Sequence, residues 1–161
     1  MTPSAGARDL ETRTADTLAM LTTPAVDVWV ATASAEGAPH LVPVSLAWVE
    51  ERVVIAVEAS SVTARNLAAS GVARLAVGPT RDVVMIDAAV EMTVAVADGE
   101  DLAAAYVDQA DWDPRRSTGY VFLVLRPVRV QAWRESNEIP GRTLMRDGTW
   151  LVVRHDEGLT R

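Results

Sequence analysis

Between Val26 and Leu67 stand three successive β-type runs, Val26–Ser34, Pro39–Val49 and Arg52–Val57, and in the first two apolar residues alternate with polar or small ones. A period of two is the pattern of strands with one buried face. Glu36-Gly37 and Glu50-Glu51 separate the runs as tight turns, so the three form an antiparallel meander. A helical run, Val62–Ser70, follows directly behind Ser60-Ser61 and stops at Gly71. Serine suits a helix N-cap, and glycine suits the left-handed position after the last turn.

The remaining chain closes around this unit. A fourth strand is expected over Val72–Val77, with Gly78-Pro79 turning the chain. Asp82–Val96 reads as a long strand whose apolar face is Val84, Ile86, Ala88, Val90, Met92, Val94 and Val96. Such length suits a curved barrel strand. A helix is expected from Asp98-Gly99-Glu100 to about Ala110, burying Leu102, Tyr106 and Ala110. Trp112–Ser117 reads as a loop and Tyr120–Trp133 as a strand broken by Pro127. Arg142–Met145 and Trp150–Val153 flank Asp147-Gly148 as a hairpin. At the N-terminal end, Arg8–Leu21 reads as an outer helix with Leu10, Leu18 and Leu21 on its buried stripe, stopped by Thr23-Pro24. A length of 161 residues suits a single domain. Residues 1–22 would carry the N-terminal helix, and 139–161 a C-terminal hairpin and tail. The expected class is mainly β, an antiparallel barrel with peripheral helices.

Charge and residue usage exclude several functions. The net charge of −7 leaves no general cationic face for nucleic acid or an anionic membrane. Without cysteine there is no disulfide, thiolate metal site or thiol nucleophile. The chain has no lysine, so neither an internal aldimine with pyridoxal phosphate nor a P-loop lysine can form. The first residues lack an apolar signal core, and Asp87 and Glu91 interrupt the longest apolar run. A cytoplasmic location is expected.

The best local candidate for a site is Ser60-Ser61-Val62-Thr63-Ala64-Arg65-Asn66. A helix N-terminus offers free N–H groups and partial positive charge. The Ser61 and Thr63 hydroxyls add donors, and Arg65 adds a guanidinium fork suited to phosphate oxygens. The competing reading is an ordinary serine cap beside a solvated arginine. Pro43 in mid-strand belongs at a sheet edge or bulge, and bulges often adjoin sites. His40 and His155 stand apart from each other and from any other ligand type, so no metal site is assigned. Asp87 and Glu91 share a strand face and could act as an acid/base pair, or simply be solvated. Trp29, Trp48 and Trp133 could line a flat pocket, although core packing also suits them. No side chain is assigned a catalytic role.

The segment VWVATASAEGAPHLVPVSLAWVEERVVIAVEASSVTARNLAASGVARLAVG, with the later VRVQAWRE, resembles the pyridoxamine 5′-phosphate oxidase-like superfamily over roughly Thr22 to Arg134. The shared features are a strand, a Gly-x-Pro turn, a proline-containing strand and a helix start ending in Arg-Asn-Leu. The resemblance implies a six-stranded antiparallel split β-barrel of the FMN-binding type, forming a homodimer with cofactor in grooves at the subunit interface. It implies FMN or the deazaflavin coenzyme F-420 as cofactor, and hydride transfer to or from a small-molecule substrate. By position, the phosphate side maps to Ser61, Thr63, Arg65 and Asn66, and the ring side to Pro43, Val44 and Ser45. Arg81 and Trp133 are added as further contacts. Many members carry an arginine or lysine two to four residues before Arg65, where this chain has Ser61 and Thr63. Two charge-assisted bonds, each worth roughly 1.5–3 kcal/mol, are therefore missing. Arg65→Ala is expected to weaken cofactor binding at least about tenfold, the loss of one such bond. A binding protein that holds a flavin or another planar ligand without turnover is the alternative.

Overall fold

The computed structural model describes residues 6–152. Helix α1 (Leu10–Leu21) starts at Asp9, whose side chain accepts a hydrogen bond from the Thr12 amide at 2.8 Å. Its buried residues are Arg13, Thr14, Thr17 and Leu21, so the apolar stripe expected through Leu18 is rotated. Thr14 and the Arg13 Nη atoms are tolerated on that face because they are hydrogen-bonded, while Arg13 Nε is buried without a partner. The Thr14 hydroxyl donates to the Leu10 carbonyl at 2.8 Å, and Arg13 donates to the carbonyls of Gly141 and Arg8.

Strand β1 (Asp27–Ala33) is followed by β2 (Pro39–Ser45) and β3 (Ala47–Val49). The run expected as one strand therefore breaks at Leu46, which is fully buried. Then come β4 (Arg52–Glu58), α2 (Val62–Ser70), β5 (Val72–Val77) and β6 (Val83–Ala95). Helix α3 (Glu100–Gln109), β7 (Tyr120–Trp133), β8 (Thr143–Arg146) and β9 (Thr149–Trp150) complete the order.

The strands pair in the order β2-β1-β5-β6-β7-β4-β3, with every pair antiparallel. The two ends of that path, β2 and β3, are consecutive in the chain. One bent strand thus joins both edges, and the sheet closes into a six-stranded barrel. The closure is incomplete. The β3–β4 ladder ends at Ala47↔Val54, and beyond it β2 leaves β4 to pair with β1 from Asp27↔Ser45 onward. This is the split. Pro43 lies on β2 opposite Trp29, where β2 has a ladder on one side only, so its missing N–H costs nothing.

Inside the barrel Val28, Val30, Leu46, Ile55, Leu75, Ile86 and Leu125 form the main core with Leu67 from α2. A second cluster packs Tyr106 and Ala103 of α3 on Ala47, Val54, Phe122 and Val124. Burying each large apolar side chain contributes roughly 1.5–3 kcal/mol.

Two register shifts along β6–β7 alter the sequence reading. Asp87 pairs with Arg129 but Ala88 with Pro127, so Val128 is an extra residue. Pro127 therefore does not break β7, because the bulge beside it relieves the ladder. Between Val90 and Met92 the extra residue is Glu91. It shifts the phase, and Met92, expected inside, is exposed.

The C-terminal hairpin joins the barrel through β7–β8 pairing at Val130↔Met145, and Leu144 and Met145 enter the main core. Val153 and His155 lie outside the described residues. No helix among the described residues is long and apolar enough to cross a membrane.

Candidate functional site

Where β2 and β4 separate, a cleft of about 510 Å³ opens. One side is strand β2, with His40, Val42, Val44 and Ser45. The floor and far side are Ala56, Val57 and Glu58 of β4. Ser61, Val62 and Thr63 at the start of α2 form one end, and Trp112 and Tyr120 the aromatic end. The volume falls in the range of small-molecule sites, which are mostly apolar with a few placed polar groups.

The α2 end is built for an anion by its backbone. Ser61 has extended backbone and caps the helix, its Oγ accepting from the Ala64 amide at 3.1 Å. The Arg65 amide donates to the Ser61 carbonyl at 3.0 Å. The amides of Val62 and Thr63, one step earlier, have no intrahelical acceptor. The first turn carries no acidic side chain, so the partial positive charge is not cancelled there. Glu58 on the adjoining strand is the one carboxylate in the lining. No arginine is part of it.

The opposite end is a stack of rings. Trp112 meets Tyr120 edge-on at 5.4 Å and Tyr106 edge-on at 6.2 Å, and Tyr106 lies 5.3 Å from Phe122. Tyr106 is fully buried behind the wall. Its hydroxyl accepts from the Trp112 indole N–H at 3.1 Å. Burial pushes its phenol up to about 12, although hydrogen bonds with Trp112, the Ser45 side chain and the Ala56 backbone pull the other way. It stays protonated at neutral pH and can donate as well as accept.

The residues singled out in the sequence separate into three groups. Val44, Ser45, Ser61 and Thr63 meet in the cleft. Pro43, Arg65 and Asn66 adjoin it without lining it. Pro43 and Arg65 are exposed. Asn66 is buried and turned inward, its Nδ2 donating to the Thr32 hydroxyl at 3.0 Å, so it pins α2 to β1. Arg81 and Trp133 are remote. Arg81 forms a two-pronged pair with Glu135, its Nη2 2.7 and 2.8 Å from the two carboxylate oxygens. Trp133 pairs with Val83 at the far end of β7 from Tyr120, under the Arg142 guanidinium at 5.7 Å.

Other candidates resolve differently. Asp87 and Glu91 are no acid/base pair. Asp87 is held by Arg74 and Arg129, and Glu91 by Arg52, on either side of a bulge. The flat wall is made by Trp112 and Tyr120, not by Trp29, Trp48 and Trp133. Trp112 lies in the loop after α3, where no periodic pattern marks a residue, and Tyr120 is the first residue of β7, where the strand pattern has no earlier neighbour to assign it a face. His40, read as an ordinary strand histidine, faces the cleft. Among the described residues no group of three or more His, Cys, Asp or Glu side chains could hold a metal ion.

A family model described as pyridoxamine 5′-phosphate oxidase matches residues 19–134. Among solved structures the chain is similar to an F-420 reductase, at 20% identity and TM-score 0.59, covering 70% of this chain and 93% of that one. It is also similar to a heme-binding protein from Mycobacterium smegmatis, at 21% identity and TM-score 0.64, covering 88% of this chain but only 59% of that one. A third is HutZ, the heme storage protein from Vibrio cholerae, at 14% identity and TM-score 0.58, covering 78% and 95%. At such identities these likenesses show the fold. No curated protein matches. With most of its length matched and its barrel closed by one bent strand, the chain belongs to the pyridoxamine 5′-phosphate oxidase-like family of split barrels.

Proposed function

We propose that the cleft holds a flavin-type cofactor, FMN or coenzyme F-420, and that the protein is an oxidoreductase acting on a small molecule. The carrying observation is one cleft with free helix amides at one end and an aromatic wall at the other. The donor set fits such a cofactor. Ser61, Thr63 and the amides of Val62 and Thr63 would hold a phosphate, and Val44, Ser45, Trp112 and Tyr120 would flank a flat ring. When bound, the cofactor supplies the hydride chemistry. The chain's own residues bind it, orient it and exclude water.

A second copy completes this reading. Trp29, Leu41 and Val72 are 48, 59 and 57% exposed and lie on one face of β2–β1–β5. Arg74, paired with Asp87, shares this face, and large apolar side chains exposed together on one sheet face suit an interface. Arg81 and Trp133, remote from the cleft within one chain, would then join it as contributions of the other subunit and supply the cation that the lining lacks. We place this dimer in the cytoplasm.

A second reading rests on His40, the one histidine among the described residues, whose ring lines the cleft. It would offer an imidazole to a haem iron, and the protein would bind a planar ligand without turnover. The test is to titrate the purified protein with FMN, F-420 and haemin, following tryptophan quenching, melting temperature and the Soret band. Micromolar binding of FMN or F-420, weakened at least about tenfold by Ser61→Ala with Thr63→Val, as for loss of charge-assisted phosphate bonds, supports the first reading. A Soret shift abolished by His40→Ala supports the second. Binding of none removes both.

A further inference from the structure

Tyr106 touches no part of the cleft's surface, yet its hydroxyl touches three groups that do. The Trp112 indole donates to it at 3.1 Å, and the Ser45 side chain and the Ala56 backbone lie close enough to pull its pKa down against the effect of burial. Ser45, Ala56 and Trp112 all line the cleft, and they come from β2, β4 and the loop after α3. The hydroxyl sits where the barrel is split. Ala47↔Val54 is the last pair of the β3–β4 ladder, and Ser45 and Ala56 are the residues that would pair next but one along it. A fully buried phenol on a separate helix thus occupies the gap left by the missing rung. Its ring is clamped between Trp112 and Phe122.

We infer that Tyr106 is the positioning residue of the cleft: one buried hydroxyl sets the orientation of the Ser45 hydroxyl and the Trp112 indole, and so the polarity and width of the ring-binding end. The physical reason is satisfaction. A buried phenol must find partners. It accepts from the indole, and the Ala56 amide N–H can only donate to it, so its own proton is left for the Ser45 oxygen. Ser45 is then free to donate its own proton into the cleft. A ligand whose ring edge presents an acceptor to Ser45 is then preferred over one that presents a donor. The effect on ligands rests on the cleft being the binding site proposed above, whereas the effect on Ser45 and Trp112 does not.

The first test needs no cofactor. In ¹⁵N-labelled protein the indole N–H resonance of Trp112 is assigned with Trp112→Phe. In Tyr106→Phe, which keeps the ring, that resonance is expected to move upfield and its solvent exchange to quicken about tenfold, the scale of one lost hydrogen bond. An unmoved resonance with unchanged exchange overturns the proposal. The second test titrates FMN and F-420 into wild type, Tyr106→Phe, Ser45→Ala and the double variant. The cofactor that wild type binds is expected to bind about five- to tenfold more weakly to Tyr106→Phe. The double variant is expected to be no weaker than the weaker single one, because both act through Ser45. Equal affinity for wild type and Tyr106→Phe, or effects that multiply, overturns it. If wild type binds neither cofactor, the cofactor reading falls and the indole measurement decides this one.

Discussion

Glu138 shows how much one side chain can hold. It is buried and accepts from the Arg8 amide and guanidinium at 2.8–2.9 Å and from the Arg134 amide at 2.9 Å. The Arg8 guanidinium is the main reason its carboxyl is pulled from 4.5 down to about 2. A lowered carboxyl stabilises the fold fully above its unfolded value and loses that contribution as pH falls through the folded one. Roughly 3 kcal/mol should therefore disappear between about pH 4.5 and 2. Melting temperature against pH for wild type and Glu138→Gln checks this. The variant is expected to be less stable at pH 7 and flatter through the acid range. A wild-type curve as flat as that of the variant would contradict it. None of this was legible in the sequence, because Arg8 and Glu138 stand 130 positions apart. Asn66 is the converse case. Its place beside Arg65 suggested a ligand contact, but burial turned it toward Thr32.

At the scale of elements, turns and caps were the most legible features. Helix α2 has the expected bounds, with Ser61 as its cap and Gly71 left-handed at φ 72°. Two glycines separate backbone strain from crowding. A Cβ at Gly71 would meet nothing within 4 Å, so Gly71→Ala should cost only the left-handed penalty, about 1–2 kcal/mol. Gly78, at φ 87°, would place a Cβ 2.5 Å from the Asp82 carbonyl oxygen and 2.7 Å from the Met20 sulfur. Gly78→Ala should therefore cost clearly more than Gly71→Ala in urea denaturation. Equal losses would mean that the loop yields. The Glu50-Glu51 turn was read from spacing alone. Its residues take φ 48° and 62° without a glycine, a conformation that composition does not announce. The bulges beside Pro127 and at Glu91 were illegible, since an extra residue shows only against its partner strand.

At the scale of the whole molecule, the exposed face bearing Trp29, Leu41 and Val72 carries the proposed dimer. Trp29→Glu puts a charge on that face without entering the core. Sedimentation velocity is expected to show a dimer for wild type and a monomer for this variant, with unchanged far-ultraviolet circular dichroism. A wild-type monomer, or a variant that stays dimeric, would remove this face as the interface.

By itself the sequence determined the local grammar: the period-two strands, the helix caps, the turns, and the serine and threonine at the start of α2. These are set by neighbours a few residues apart, so a short window contains their cause. It also carried the family, through the order and spacing of several such signals. Only the tertiary structure decided that β2 and β3 close the barrel, that the split between β2 and β4 becomes a cleft, and that Trp112 and Tyr120 wall it with Tyr106 packed behind Trp112. Those outcomes depend on which buried groups find partners across the fold. Hydrogen bonding and packing between distant residues settle that, and no local pattern records them.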